Sequence, residues 1–157
     1  MDTGIRRHPP VDLLLVDDDQ LFGDALAQRL RREPGVGEVE PAYSSEAAWR
    51  CLRRQRPDVV ILDYNLADAS SLALLADIES LPDPPRVLIL SGSQEVADIA
   101  HAVEYGASGW VVKGGTVTEL VEAVAQTMDG DLVLPHGAVG ELVRYLLDQL
   151  HRRGSSA

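Results

Sequence analysis

Five polar residues stand where short apolar runs end, and their types suit one kind of chemistry. Asp17 and Asp18 follow VDLLLV, Asp63 follows VVIL, Ser91 follows VLIL and Lys113 follows GWVV. Three carboxylates brought within a few ångströms repel one another by roughly 4 kcal/mol per pair at an effective dielectric near 20. Such a cluster needs a cation, or one member must take up a proton. Hard oxygen ligands with open positions suit Mg²⁺, which is held by a few carboxylates and keeps waters for a phosphate group. A metal-bound aspartate beside a lysine and a hydroxyl is equipped for phosphoryl transfer. The carboxylate attacks while Mg²⁺, Lys113 and the Ser91 hydroxyl neutralise charge on the phosphoryl oxygens. Taken singly, each residue has a plainer explanation. Asp-Asp after a strand is a helix cap with acids favoured by the macrodipole, Asp63 a cap, Ser91 a turn residue and Trp110 a core residue. Their conjunction at four strand ends favours a site, and Lys113 is the single lysine among 14 basic residues.

Positioning these groups together requires an open α/β sheet, where ligands bind outside the carboxyl ends of the strands. Apolar runs alternate with helical patterns five times along the chain. Strands are expected at 11–16, 36–42 (the weakest), 59–62, 87–90 and 109–112. A helix over 20–32 shows Leu21, Phe22, Ala25, Leu26 and Leu30 on one face and stops at Pro34 and Gly35. The next is capped by Ser44 or Ser45 and faces inward through Ala47, Ala48, Cys51 and Leu52. Ser70 or Ser71 starts a third, and Ser93 is expected to cap a fourth that ends at Gly106. Thr116 and Glu119 form a capping box for the fifth, which Gly130 closes. Such alternation implies a parallel sheet with helices on both faces.

Beyond Gly130, Val139, Leu142, Val143, Leu146, Leu147 and Leu150 form an amphipathic stripe. Two roles fit it equally: one more helix packed on the core, or a linker and dimerisation helix. The expected organisation is residues 1–10 disordered, 11–129 the α/β domain, 130–151 the linker or C-terminal helix, and 152–157 a disordered tail.

Composition narrows the class. The 157 residues carry a net charge of −11, from 25 acidic and 14 basic side chains. A phosphate backbone repels such a surface, and the arginines between Arg29 and Arg56 come without aromatic interleaving or a recognition-helix pattern. Direct DNA contact is not expected. Cys51, the one cysteine, excludes an internal disulfide framework and a multi-cysteine zinc site, and suits a reducing compartment. No apolar run approaches the roughly 18 residues of a membrane span. The chain is therefore expected to be soluble and cytoplasmic, without membrane contact. A Rossmann or P-loop nucleotide site fails because neither G-x-G-x-x-G after the first strand nor G-K-[ST] occurs.

The motifs VDLLLVDDD, VVILDYNL, VLILSGS and GASGWVVKG resemble the receiver domain of two-component response regulators across about residues 11–129. The resemblance implies a flavodoxin-like, doubly wound, five-stranded parallel sheet of order 2-1-3-4-5, with five helices plus the extra C-terminal helix. It implies that Asp63 is the phosphoacceptor. Mg²⁺ would be bound by Asp18, Asp63 and the backbone carbonyl of Asn65, with Asp17 acting through water. Ser91 and Lys113 would grip the phosphoryl oxygens, Trp110 would be the switch aromatic, and Asn65 and Ser93 would tune hydrolysis. The chain departs from the family pattern at Ala67, where proline is usual, at Ser71, where glycine is usual, and at Gly114, where a proline often follows the lysine through a cis peptide.

GASGWVVKG and the segment after the domain most resemble the NarL/FixJ-type subfamily, whose members usually carry a C-terminal helix-turn-helix domain. The chain stops too early for one, so a receiver cut from a longer regulator is expected over a natural single-domain protein. The implied partners are a sensor histidine kinase and a second copy, met through the receiver face or the C-terminal helix. DNA would be reached through the absent domain. No enzymatic turnover is expected beyond phosphorylation and dephosphorylation of Asp63 itself. Two alternatives stand beside this: a haloacid-dehalogenase-type phosphatase with Asp17 as nucleophile and Asp19 as its partner, and a receiver-like interaction module that works without phosphate.

Overall fold

The computed structural model describes residues 9–155. Five strands, β1 (Val11–Val16), β2 (Val36–Ala42), β3 (Val59–Asp63), β4 (Arg86–Ser91) and β5 (Gly109–Val112), alternate with α1 (Gln20–Arg31), α2 (Ser45–Arg54), α3 (Ser71–Glu79), α4 (Val96–Glu104) and α5 (Val117–Met128). A sixth helix, α6 (Ala138–Ser155), follows. The sheet order is β2-β1-β3-β4-β5, with every neighbouring pair parallel. This is the doubly wound order expected from the resemblance.

The strands read as unbroken apolar runs because both faces of the sheet are covered. Leu14, Val16, Val60, Leu62, Val87, Ile89 and Trp110 face α2, α3, α4 and α6. Leu13, Leu15, Val59, Ile61, Leu88 and Leu90 face α1 and α5. Successive side chains point to opposite faces, so one run fills two cores.

Parallel strands joined by helical crossovers all end at the same edge. Register sharpens this. Val16 pairs with Leu62, Asp63 with Leu90 and Ser91 with Val112, so Asp17, Asp63, Ser91 and Lys113 arrive within about one rung of each other.

Four of the helix starts use the hydroxyl or carboxylate that their sequences supply. Asp19 accepts from Phe22 N–H, Ser44 from Ala47, Ser70 from Ala73 and Thr116 from Glu119. The fourth helix differs from expectation. Its N-cap is Glu95, which makes no side-chain capping bond, while Ser93 Oγ, two residues earlier, accepts from Glu95 N–H. Gly106 ends α4 with φ +107°, and a Cβ there would lie 2.5 Å from Glu79 Cγ, so only glycine fits this turn. Every described peptide bond is trans, Lys113–Gly114 included.

Beyond α5 the chain returns to the sheet. Val133 bridges Gly109 in parallel, Trp110 N–H donates to Val133 C=O (2.8 Å), and Val133 N–H donates to Ser108 C=O (3.0 Å). Helix α6 then packs against α4. Leu142 is buried, and Ala138, Tyr145 and Leu146 press on the same core. Val139, Val143, Leu147 and Leu150 remain exposed, so the stripe is divided between core and solvent. The helix runs through Ser155, so residues 152–155, expected as disordered tail, continue it. Residues 1–8 and 156–157 of the two expected disordered ends lie outside the described residues. No helix among the described residues is long and apolar enough to cross a membrane.

Candidate functional site

The β1–α1 turn places two carboxylates differently. Asp17 is 1% exposed; its Oδ1 accepts from Asp19 N–H (2.9 Å), while its Oδ2 accepts no hydrogen bond. The charge partner of that oxygen is the Lys113 ammonium, 3.1 Å away. Asp18 is exposed, and its Oδ2 accepts from the backbone N–H of Ala67 (2.7 Å). Asp19 is occupied as the N-cap of α1. The Asp-x-Asp pair that a haloacid-dehalogenase-type site requires is therefore not assembled, and that alternative loses its second carboxylate.

Asp63 closes β3 at 5% exposure. Its Oδ1 accepts from Asn65 N–H (3.2 Å) and lies 3.4 Å from Lys113 Nζ. Asp17, Asp18 and Asp63 each offer an oxygen within 4.8 Å of the others. The donor set fits a divalent cation: three hard oxygens, one of them a buried carboxylate oxygen without a hydrogen bond, on the acidic edge of the sheet.

Electrostatics follow from that crowding. Burial pushes Asp63 above the ordinary carboxylate range, and the Asp17 charge adds to the rise, against the Asn65 amide and Lys113. Burial alone depresses Lys113. The close ion pair with Asp17 and the charge of Asp63 outweigh it, so the ammonium is held above its usual range. Phe22 packs beneath, with Lys113 Nζ 4.8 Å from its ring centroid.

Ser91 is fully buried at the end of β4. Its Oγ accepts from Ser93 N–H (3.1 Å), and its carbonyl accepts from Lys113 N–H (2.7 Å). Ser93 and Asn65 are exposed beside the pocket. Trp110, 1% exposed, lies inward: its Nε1–H donates to Ser93 C=O (2.8 Å), and its ring meets Tyr64 at 4.9 Å between centroids. Tyr64 in turn donates to Asp98 Oδ1 on α4 (3.0 Å). The residue after Asp63 is thus tied to α4, a link that nothing in the local sequence announces.

Burial, with the Asp98 hydrogen bond and charge, pushes the Tyr64 phenol from 10.0 up to about 12. A phenol raised on folding contributes stability that is fully present below pH 10 and lost as pH climbs through 12. Alkaline titration of the tyrosinate absorbance should therefore show a late component near pH 12 that Tyr64→Phe removes. A Tyr64→Phe profile identical to wild type would contradict the assignment.

Two further groups escaped sequence reasoning. Ser71 Oγ donates to the backbone carbonyl of Asp63 (2.6 Å) in a buried contact, and the Ala67 amide holds Asp18. Ser71 was visible only as a candidate helix start and a departure from glycine, Ala67 only as a missing proline.

Comparison with known proteins adds an independent line. Residues 13–125 match the family model described as the response regulator receiver domain. The chain is 32% identical over 136 residues to the probable transcriptional regulatory protein NarL of Mycobacterium tuberculosis, covering 84% of this chain and 63% of that protein. It is likewise 32% identical to the DNA-binding transcriptional activator DevR/DosR of the same organism, covering 87% and 63%. It therefore spans less than two thirds of the length of these curated relatives. Among solved structures, it superposes with a LuxR-family two-component response regulator from an Aurantimonas species at TM-score 0.79 and 27% identity, covering 88% of this chain and 99% of that one. The signal receiver domain of NarL from M. tuberculosis gives TM-score 0.72 at 31% identity, with 78% and 99% covered.

Proposed function

The chain belongs to the response regulator receiver domain family, and from that premise we propose that Asp63 accepts a phosphoryl group from a sensor histidine kinase. The similarity is to receivers of the NarL and LuxR type. In the proposed step an Asp63 carboxylate oxygen forms the bond to phosphorus as the phosphorus–nitrogen bond of the donor phosphohistidine breaks, and the imidazole leaves and takes a proton from solvent. The observation that carries the reading is the place of Asp63: at the end of β3, within reach of Lys113 and of two further carboxylates.

Asp18, Asp63 and the Asn65 backbone carbonyl are proposed to hold Mg²⁺, with Asp17 acting through water. When bound, the ion offsets the charge of the carboxylates and the phosphoryl oxygens. Lys113 stays cationic at neutral pH and is proposed to pass from the carboxylates to a phosphoryl oxygen. The Ser91 hydroxyl can donate to another such oxygen while still accepting from Ser93 N–H, since a hydroxyl has one donor and two lone pairs. Asn65 and Ser93, at the pocket mouth, are proposed to set how water reaches the acyl phosphate.

The switch is proposed to run through the Ser91–Ser93 turn, Trp110 and α4. Trp110 is already inward, so phosphorylation would act by moving the turn whose carbonyl the indole holds. Phosphoryl contacts that differ between two states are what shift the population. We propose self-association through the α4–β5–α5 face or the exposed side of α6 as the consequence. Transcription is the proposed output, exerted through a DNA-binding region that these residues do not supply. Its support is the naming of the relatives together with the −11 charge of this chain. The chemistry is confined to Asp63 itself, without turnover of a separate substrate.

Incubation with Mg²⁺ and a small acyl phosphate should add one phosphoryl group to the intact mass, and EDTA should prevent it. A mass unchanged with Mg²⁺ present would leave only the phosphate-independent interaction module.

A further inference from the structure

Asp18 is the one carboxylate of the three that faces solvent, and nothing in its own helix or strand holds it. Repulsion from Asp17 and Asp63 favours rotation of its side chain outward. One group opposes this: the backbone N–H of Ala67, 49 residues away in sequence, donates to Asp18 Oδ2 at 2.7 Å. Among the described residues it is the one hydrogen bond that the Asp18 carboxylate accepts.

The loop that presents this donor is itself fixed at three points. Ser71 Oγ donates to the Asp63 carbonyl (2.6 Å) and so joins the start of α3 to the end of β3. Asp68 accepts from Ser45 N–H (3.1 Å) and Ser45 Oγ–H (2.8 Å), which anchors the loop to the start of α2. The Asn65 amide donates back to Asp63. The Ala67 N–H thus sits in a loop tethered to the end of β3 and to the start of α2, independently of Asp18.

We propose that the Ala67 amide is a positioning group for Mg²⁺: it holds Asp18 turned toward Asp17 and Asp63, in the direction a shared cation requires. This rests on the assignment of these three carboxylates as the Mg²⁺ site. A carboxylate oxygen has two lone pairs, so Oδ2 keeps capacity and Oδ1 is untouched by the amide. The donor therefore aims the ligand without occupying its metal-binding capacity. Alanine at this position matters for its N–H, which proline lacks.

The test compares wild type, Ala67→Pro, which deletes the N–H, and Ala67→Gly, which keeps it. Mg²⁺ alone is the probe, and binding is read by calorimetry and by amide resonances. Hydrogen bonds to charged groups are the stronger class, and loss of this partly exposed one should weaken Mg²⁺ binding about 3- to 10-fold in Ala67→Pro. Ala67→Gly should stay within about twofold of wild type. Thermal midpoints without Mg²⁺ separate this from loss of fold. In wild type, the Ala67 amide should keep its protection from hydrogen exchange when Mg²⁺ saturates the site, a measurement that decides even if the proline variant does not fold. Equal or tighter binding by Ala67→Pro, or loss of that protection on saturation, would mean that the amide competes with the ion and overturns the proposal. If wild type binds no Mg²⁺, the carboxylate assignment fails first and the inference falls with it.

Discussion

Asp63→Asn should carry no phosphoryl adduct after incubation with Mg²⁺ and an acyl phosphate, under conditions where wild type gains one. The replacement is nearly isosteric, so the expected loss is chemical. A carboxylate oxygen carries the charge and lone pair that attack phosphorus; a carboxamide oxygen is neutral, and the nitrogen beside it offers the metal a hydrogen-bond donor where a ligand is needed. The fold should survive, because the Lys113 ammonium keeps Asp17 at 3.1 Å after its 3.4 Å contact with Asp63 is gone. Burial holds the Asp63 carboxyl above its ordinary range, so the ionised form is disfavoured by folding. Stability from this group is complete below the unfolded pKa and lost as pH rises through the folded one. The metal-free Asn variant lacks that loss, and its thermal midpoint at neutral pH should equal or exceed that of wild type. Asp17→Asn should reduce adduct formation without abolishing it. An adduct that survives Asp63→Asn and vanishes in Asp17→Asn would move the nucleophile to β1 and sink the assignment.

Trp110→Ala should cost about 3–5 kcal/mol in unfolding free energy, read from urea denaturation at neutral pH. The ring is among the largest fully buried side chains in the core, at 1% exposure. Its removal leaves a cavity beside Ile89, its partner on β4, in the core that α4 and α6 help to cover. Two polar consequences add to the lost packing. Ser93 C=O loses its indole donor at 2.8 Å, and Tyr64 loses the ring against which it is held for Asp98. Trp110→Phe restores much of the volume without the N–H, and should lie between wild type and alanine. Trp49, on α2, remains as the fluorescence reporter in both variants. A loss under about 1 kcal/mol in Trp110→Ala would mean that the site collapses to fill the space, and that the ring does not brace α4.

Trp110 and Asp63 show how much the amino-acid order determined by itself. Apolar runs such as VVIL and VLIL, too short for helices and apolar on both faces, specify parallel strands buried on two sides. The helical spacings between them specify crossovers, and crossovers bring all strand ends to one edge. From that rule alone Asp17, Asp63, Ser91 and Lys113 could be placed together, and the register then brings them within about a rung. Periodicity is a local property, so it is legible without the fold.

Contacts between residues distant in sequence left no such trace. Tyr64–Asp98, Ser71–Asp63 and Ala67–Asp18 depend on how the loop after β3 meets α4, the start of α3 and the β1–α1 turn, and one of their donors is a backbone amide with no side-chain signature. The α6 stripe made the same point at larger scale. Its six apolar residues defined a helix with one broad apolar side, but α4 covers only part of it, burying Leu142 and leaving Val139, Val143, Leu147 and Leu150 in solvent. Amphipathic spacing states that a face seeks cover; the crossing of two helices decides which residues receive it. For this protein the chemistry was written at the strand ends, where topology is forced by local pattern. The holding of each group in its working direction was settled by hydrogen bonds between distant segments that exist only once the chain has folded.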